Sequence, residues 1–177
     1  IDSLIPIIGA VFSLPFIIFS LLGGYLSDRY SKKYVAVGTK FAEVLIMVIA
    51  TVALINGNLN FIIGVIFLMS TQSAFFGPAK YGSLPELLPP EKLSWGNGVI
   101  GMGTNMAVIF GMVAAGYISE KYGVNTKEAG LLLVVLAIIG FLFSVGITRI
   151  PPSREANQPH PNFSGAVKEL FHKVKRI

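Results

Sequence analysis

The sequence predicts an all-α, polytopic membrane protein, a helical bundle of five transmembrane spans, and three observations carry that prediction. Of 177 residues, 53% are hydrophobic and only 13% are charged, a balance rare in a soluble domain of this size. The apolar residues gather in runs long enough to cross a hydrocarbon core about 30 Å thick at a helical rise of about 1.5 Å per residue. None of these runs alternates apolar with polar positions as a β-barrel strand does, so each must satisfy its own backbone as a helix.

The first run, 3–27, contains no charged residue. It is too long for a secretory signal peptide, lacks a basic leading region, and is followed by further spans. Pro15 within it predicts a kink. A short charged loop follows, and then the second run, 34–55. The third, 59–76, stops before Gly77-Pro78, where a proline is expected to end or break the helix. The fourth and fifth runs are 96–118 and 129–148.

Beyond Arg149 the composition changes. Residues 150–162 are Pro-rich and polar, as an extended linker is. In 163–177, Phe163, Val167, Leu170, Phe171 and Val174 fall on one helical stripe, with Lys168, Lys173, Lys175 and Arg176 on the remainder and Ser164 as N-cap. This reads as a basic amphipathic helix at the cytoplasmic headgroup layer. His160 and His172 have no partners at ligand spacing and read as solvated, and no metal site or cofactor is expected.

Orientation follows from the basic residues, because Lys and Arg in short loops favour the cytoplasmic side. If the first loop is cytoplasmic, Arg29, Lys32, Lys33, Lys80, Lys92, Arg149, Arg154, Lys168, Lys173, Lys175 and Arg176 lie inside, and only Lys121 and Lys127 lie outside. The amino end is then outside and the carboxyl tail cytoplasmic. The net charge of +5 reflects topology and anionic lipid rather than nucleic acid. An odd number of spans, a first residue other than Met and a basic end are read as a piece of a larger protein.

Chemistry is sparse. With no cysteine there is no disulfide framework and no thiolate nucleophile or ligand. No His-x4-Asp acyltransferase pattern, no nucleophile and base in an aqueous segment, and no phosphate-cradling glycine loop occurs, so no catalytic residue is assigned. The exceptional residues are Lys40 and Glu43, one turn apart inside the second run. An ionised carboxylate at that depth must be paired, protonated or facing water, and the two can neutralise each other at i,i+3. The alternative is that Glu43 takes up a proton or cation, or meets a headgroup amine.

Softer signals lie further on. Thr71, Gln72 and Ser73 cluster late in the third run, and Asn97 and Asn105 lie two turns apart on the fourth, either lining a cavity or bonding between helices. Lys80 and Tyr81 reach the interface, where a cation and a phenol can meet a phosphate or serve as ordinary interfacial residues. Trp95 reads as an interface anchor. Gly103, Ala107, Gly111 and Ala115 form a small-residue stripe that lets another helix approach closely.

The charged loop, Gly24-Tyr25-Leu26-Ser27-Asp28-Arg29-Tyr30-Ser31-Lys32-Lys33, resembles the signature between the second and third helices of major facilitator superfamily transporters, roughly Gly-x-Leu-x-Asp-Arg-x-Gly-Arg-Lys. Ser31 stands where a glycine is usual. The resemblance implies that the five spans correspond to helices 2–6 of an amino-terminal six-helix half, with a second half as partner. It also implies that Gly24, Asp28, Arg29, Lys32 and Lys33 belong to a cytoplasmic gate, Asp28 pairing with Arg29 or with a neighbouring helix N-terminus. No arginine stands in the third run and no Gly-Pro element in the fourth, which disfavours proton antiport of drugs.

A second stretch, Gln72 to Pro89 followed by Leu93-Ser94-Trp95-Gly96-Asn97-Gly98, is similar to the fourth span and following loop of bacterial lysophospholipid transporters, including those fused to an acyltransferase. It implies a flippase of the bacterial inner membrane that moves lysophospholipid from the outer to the inner leaflet by alternating access, for reacylation. Two alternatives stay open: a carrier or exporter of another small solute, and the membrane half of a bifunctional acyltransferase-transporter.

Overall fold

A computed structural model describes residues 4–122, 126–148 and 165. Each apolar run lies within one long helix, in the order α1 (Leu4–Arg29), α2 (Lys32–Asn56), α3 (Leu59–Gly82), a single turn α4 (Leu84–Leu87), a 3-10 turn at Pro90–Lys92, α5 (Leu93–Tyr122) and α6 (Thr126–Val145). All five long helices are long and apolar enough to cross a membrane, and no strand occurs among the described residues. The helices extend past the uncharged runs, with Arg29, Lys32, Lys33 and Lys80 in their terminal turns.

The connections are made by residues suited to them. Between α1 and α2, Ser31 has φ −55° and ψ 126°, a backbone open to any L residue, so no glycine is needed there. Between α2 and α3 the chain turns within Gly57 and Asn58. Gly57 has φ 63° and closes α2 in the left-handed conformation, while the Asn58 side chain accepts from Asn60 N and Phe61 N at 3.0 and 3.3 Å to cap α3.

The helix end expected at Gly77-Pro78 is absent, and α3 runs on to Gly82. Proline removes only the donor to the carbonyl four residues earlier, that of Ala74, and a membrane helix packed on a neighbour tolerates this. Gly23 of α1 lies against that same carbonyl. A Cβ built there would stand 2.6 Å from the Ala74 oxygen, so only glycine lets α1 approach this closely. The helix α1 likewise continues through Pro15, which is fully buried.

In the packed bundle α3 lies against both α1 and α2, and α2 also packs along α6. Ile46, Ala50 and Ala53 of α2 and Val65 of α3 form the described core, flanked by Met47, Ile62 and Met69. Close approach of α6 depends on Gly130, where a Cβ would fall 2.4 Å from Thr51 Cγ2. The helix α5 is different: it touches little else, and almost its whole length is exposed. The residues read as linker, 150–162, and as amphipathic helix, 163–177, Ser164 included, lie outside the described residues, apart from Gly165.

Candidate functional site

Three groups of polar side chains stand out from the apolar helices. The deepest joins α2 to α3. Lys40 Nζ donates to Glu43 Oε2 at 2.8 Å, the i,i+3 geometry that one helical turn provides. Gln72 of α3, buried, donates through Nε2 to the same carboxylate oxygen at 3.2 Å and to the Thr39 carbonyl at 3.2 Å. The Lys40 ammonium also lies over the Phe76 ring, 4.9 Å from its centroid, and Gly140 of α6 leaves room beside it. Glu43 stands about 16 Å from the start of α2, and Gln72 about 15 Å from the end of α3, at 1.5 Å per residue. The cluster is therefore close to the middle of both helices.

Next to the cluster is a groove of about 270 Å³ between α2 and α3, lined by Gly38, Thr39, Ala42, Gln72 and Phe75 among others. Its walls are apolar apart from threonines and Gln72. Gln72 and Thr39, which belong to the cluster, form part of its wall, while the side chains of Lys40 and Glu43 are 22% and 19% exposed.

The second group is the charged loop at the α1–α2 junction. Lys32 is almost wholly buried and forms an ion pair with Glu86, in α4, bringing the start of α2 against the turn after α3. Arg29 turns back along its own helix. It donates from Nη1 to the Tyr25 hydroxyl at 2.9 Å and lies 6.0 and 5.7 Å from the Tyr25 and Tyr30 ring centroids. Asp28 is exposed, and among the described residues it makes no ion pair with Arg29 or any other cation. The expected Asp28–Arg29 pair is thus replaced by an aromatic setting for Arg29, because Arg29 is on the last turn of α1 with Tyr25 four residues behind it. Gly24 is partly buried in α1, and Lys33 partly exposed on α2.

The third group joins α3 to α5. Lys80 Nζ donates to Thr104 Oγ1 at 2.7 Å, Thr104 donates to the Ile100 carbonyl at 2.7 Å, and the ammonium lies 5.5 Å from the Tyr81 ring centroid. Both of these partners are neutral. Asn97 and Asn105 are exposed on α5, apart from this contact, as are Trp95 and the stripe of Gly103, Ala107, Gly111 and Ala115.

Sequence reasoning brought Lys40 and Glu43 together correctly and placed Gln72 among cavity residues, but missed Glu86 and Thr104. Glu86 carried a signal of a kind, as an acidic residue in a loop on the same side as Lys32. Thr104 carried none, since a lone threonine in an apolar helix bonds its own backbone most often.

A family model described as Major Facilitator Superfamily matches residues 2–176. The chain is 26% identical over 157 residues to YkuC of Bacillus subtilis (strain 168), an uncharacterized MFS-type transporter, covering 87% of this chain and 35% of that protein. It is 29% identical over 154 residues to the lysophospholipid transporter LplT of Serratia proteamaculans (strain 568), covering 85% of this chain and 36% of that one. With LplT of Yersinia pestis (strain Pestoides F) the identity is 28% over 159 residues, 88% of this chain and 36% of the relative. The chain thus spans 35–36% of the length of these curated relatives. No solved structure matches it.

Proposed function

We propose that this chain, which belongs to the Major Facilitator Superfamily, is part of a carrier that moves lysophospholipid from the outer to the inner leaflet of a bacterial inner membrane by alternating access. The observation that carries the reading is its similarity, across 85–88% of the chain, to two proteins named as lysophospholipid transporters. The chemistry of Lys80 supports it. A lysophospholipid offers one phosphate and one acyl chain, and Lys80 holds its ammonium on two neutral groups, Thr104 and Tyr81. A phosphate can join such a cation without first displacing a counter-ion.

On this reading the loop containing Gly24, Asp28, Arg29, Lys32 and Lys33 faces the cytoplasm, and the Lys32–Glu86 pair braces the gate on that side. The exposed stripe on α5 receives a further helix of the whole carrier, and the second six-helix half supplies the opposite wall of the transport path. On this reading reacylation belongs to a fused or partner acyltransferase.

Spheroplasts expressing the full-length protein should take up labelled lysophosphatidylethanolamine faster than spheroplasts without it. Equal rates would favour a carrier of another small solute.

A further inference from the structure

The Lys40–Glu43–Gln72 cluster has a composition that ordinary helix packing does not need. Interhelical adhesion at mid-membrane depth is achieved by an amide or hydroxyl alone, whereas two ionised groups there are costly unless their charges have a use. Here the ammonium and carboxylate are adjacent and each side chain is about one-fifth exposed, and Gln72, which holds the carboxylate, lines a groove of about 270 Å³ between α2 and α3. The carboxylate has a second partner on α3, the Gln72 amide, besides its cation. The ammonium rests on the Phe76 ring, which favours a cation but does not neutralise it.

We propose that Lys40 and Glu43 form a charge-exchange site for the lipid headgroup. The headgroup phosphate replaces Glu43 as the partner of the Lys40 ammonium, and the displaced carboxylate takes either a proton or the headgroup's own ammonium. This rests on the lysophospholipid reading and specifies how that substrate is coupled. The charges balance in both cases. Before binding, one ammonium and one carboxylate sum to zero. An amine-free anionic lipid such as lysophosphatidylglycerol adds one negative charge, and one proton on Glu43 restores neutrality. A zwitterionic lipid such as lysophosphatidylethanolamine brings its own positive charge, which meets Glu43 directly, and no proton is needed. An ionised carboxylate left alone at this depth is the costly species that both routes avoid. The groups facing the pair are Thr39 of α2, Gln72 and Phe76 of α3 and Gly140 of α6, and among these Glu43 and Lys40 have no titratable neighbour. Glu43 is therefore the proton's destination.

The test uses the full-length carrier in vesicles that enclose a pH-sensitive dye in weak buffer. Uptake of lysophosphatidylglycerol should acidify the lumen in step with the lipid, while uptake of lysophosphatidylethanolamine should leave it unchanged. The variant Glu43→Gln should still move lysophosphatidylglycerol but without acidification, and Lys40→Met should lower uptake of both lipids by roughly tenfold, the loss of one charge-assisted bond. The uncharged double variant, Lys40→Met with Glu43→Gln, should elute as the wild type does, separating misfolding from lost chemistry. If single variants misfold, the wild-type comparison of the two lipids decides alone. Lysophosphatidylglycerol uptake without acidification, or acidification that survives Glu43→Gln, would overturn the exchange and leave lipid transport standing. If the wild type moves neither lipid, the transport reading fails and the exchange fails with it.

Discussion

Lys32 and Glu86 are 54 residues apart in the chain and form an ion pair in which the lysine side chain is 3% exposed and the glutamate 18%. A cation buried to that degree needs its counter-ion. Gly82 sits directly beside the lysine stem, where a Cβ would meet Lys32 Cε at 3.1 Å, so the side chain has little room to turn elsewhere. The pair fixes the α1–α2 junction to the turn that follows α3.

Replacing Glu86 by Gln should therefore destabilise the carrier on the order of 3 kcal/mol, because the buried Lys32 ammonium loses its carboxylate partner. Thermal unfolding in detergent reads the loss. The exchanged pair, Lys32→Glu with Glu86→Lys, should recover part of it, whereas an exposed pair of ordinary surface kind would show neither effect.

Gly23 should be intolerant of any side chain. Alanine there places a Cβ against the Ala74 oxygen, a backbone atom on α3 that cannot move independently, and the expected cost is about 1–3 kcal/mol. Gly24, with nothing within 4 Å of its Cβ position, should accept alanine with little change in melting temperature, which makes it the internal control.

How much of this was legible beforehand depends on the range of each interaction. Five spans were readable because hydrophobicity is summed over a local window, and Lys40 with Glu43 because a helical turn is local too. The continuation of α3 past Pro78 was not, since a helix packed on its neighbours tolerates the lost bond and that packing, with Gly23 of α1 against the Ala74 carbonyl, is tertiary. The partners of Lys32 and Lys80 were hidden for the same reason: Glu86 and Thr104 meet them only after α3 has turned into α5. The charges in the loop marked a site, but their pairing required the tertiary arrangement.

The chain has no cysteine, so thiols introduced singly into it, in a full-length carrier freed of any other cysteine, report its topology. Lys33→Cys and Lys92→Cys sit at the α1–α2 and α4–α5 turns, and Lys127→Cys at the start of α6. Alternating crossings put the first two on one side and the third on the other. With a cytoplasmic gate, a membrane-impermeant maleimide applied to intact spheroplasts should label Lys127→Cys alone; labelling of the first two instead would invert the orientation.

Lys80 should be sensitive to charge and to its support separately. Lys80→Met should lower lipid uptake by roughly tenfold through loss of a charge-assisted contact, while Thr104→Val, which keeps the cation and removes only its hydroxyl partner, should have a smaller effect. Equal rates for Lys80→Met and wild type would return this lysine to the interfacial role alone.

The most direct measurement is the movement of lysophospholipid itself by purified full-length carrier in vesicles. Fluorescent lysophosphatidylethanolamine is added outside, and the fraction protected from extraction by albumin is followed with time. Protection should develop faster than in protein-free vesicles, and unlabelled lysophospholipid should compete for it, whereas diacyl phospholipid should not. Protection no faster than in protein-free vesicles would contradict lysophospholipid transport.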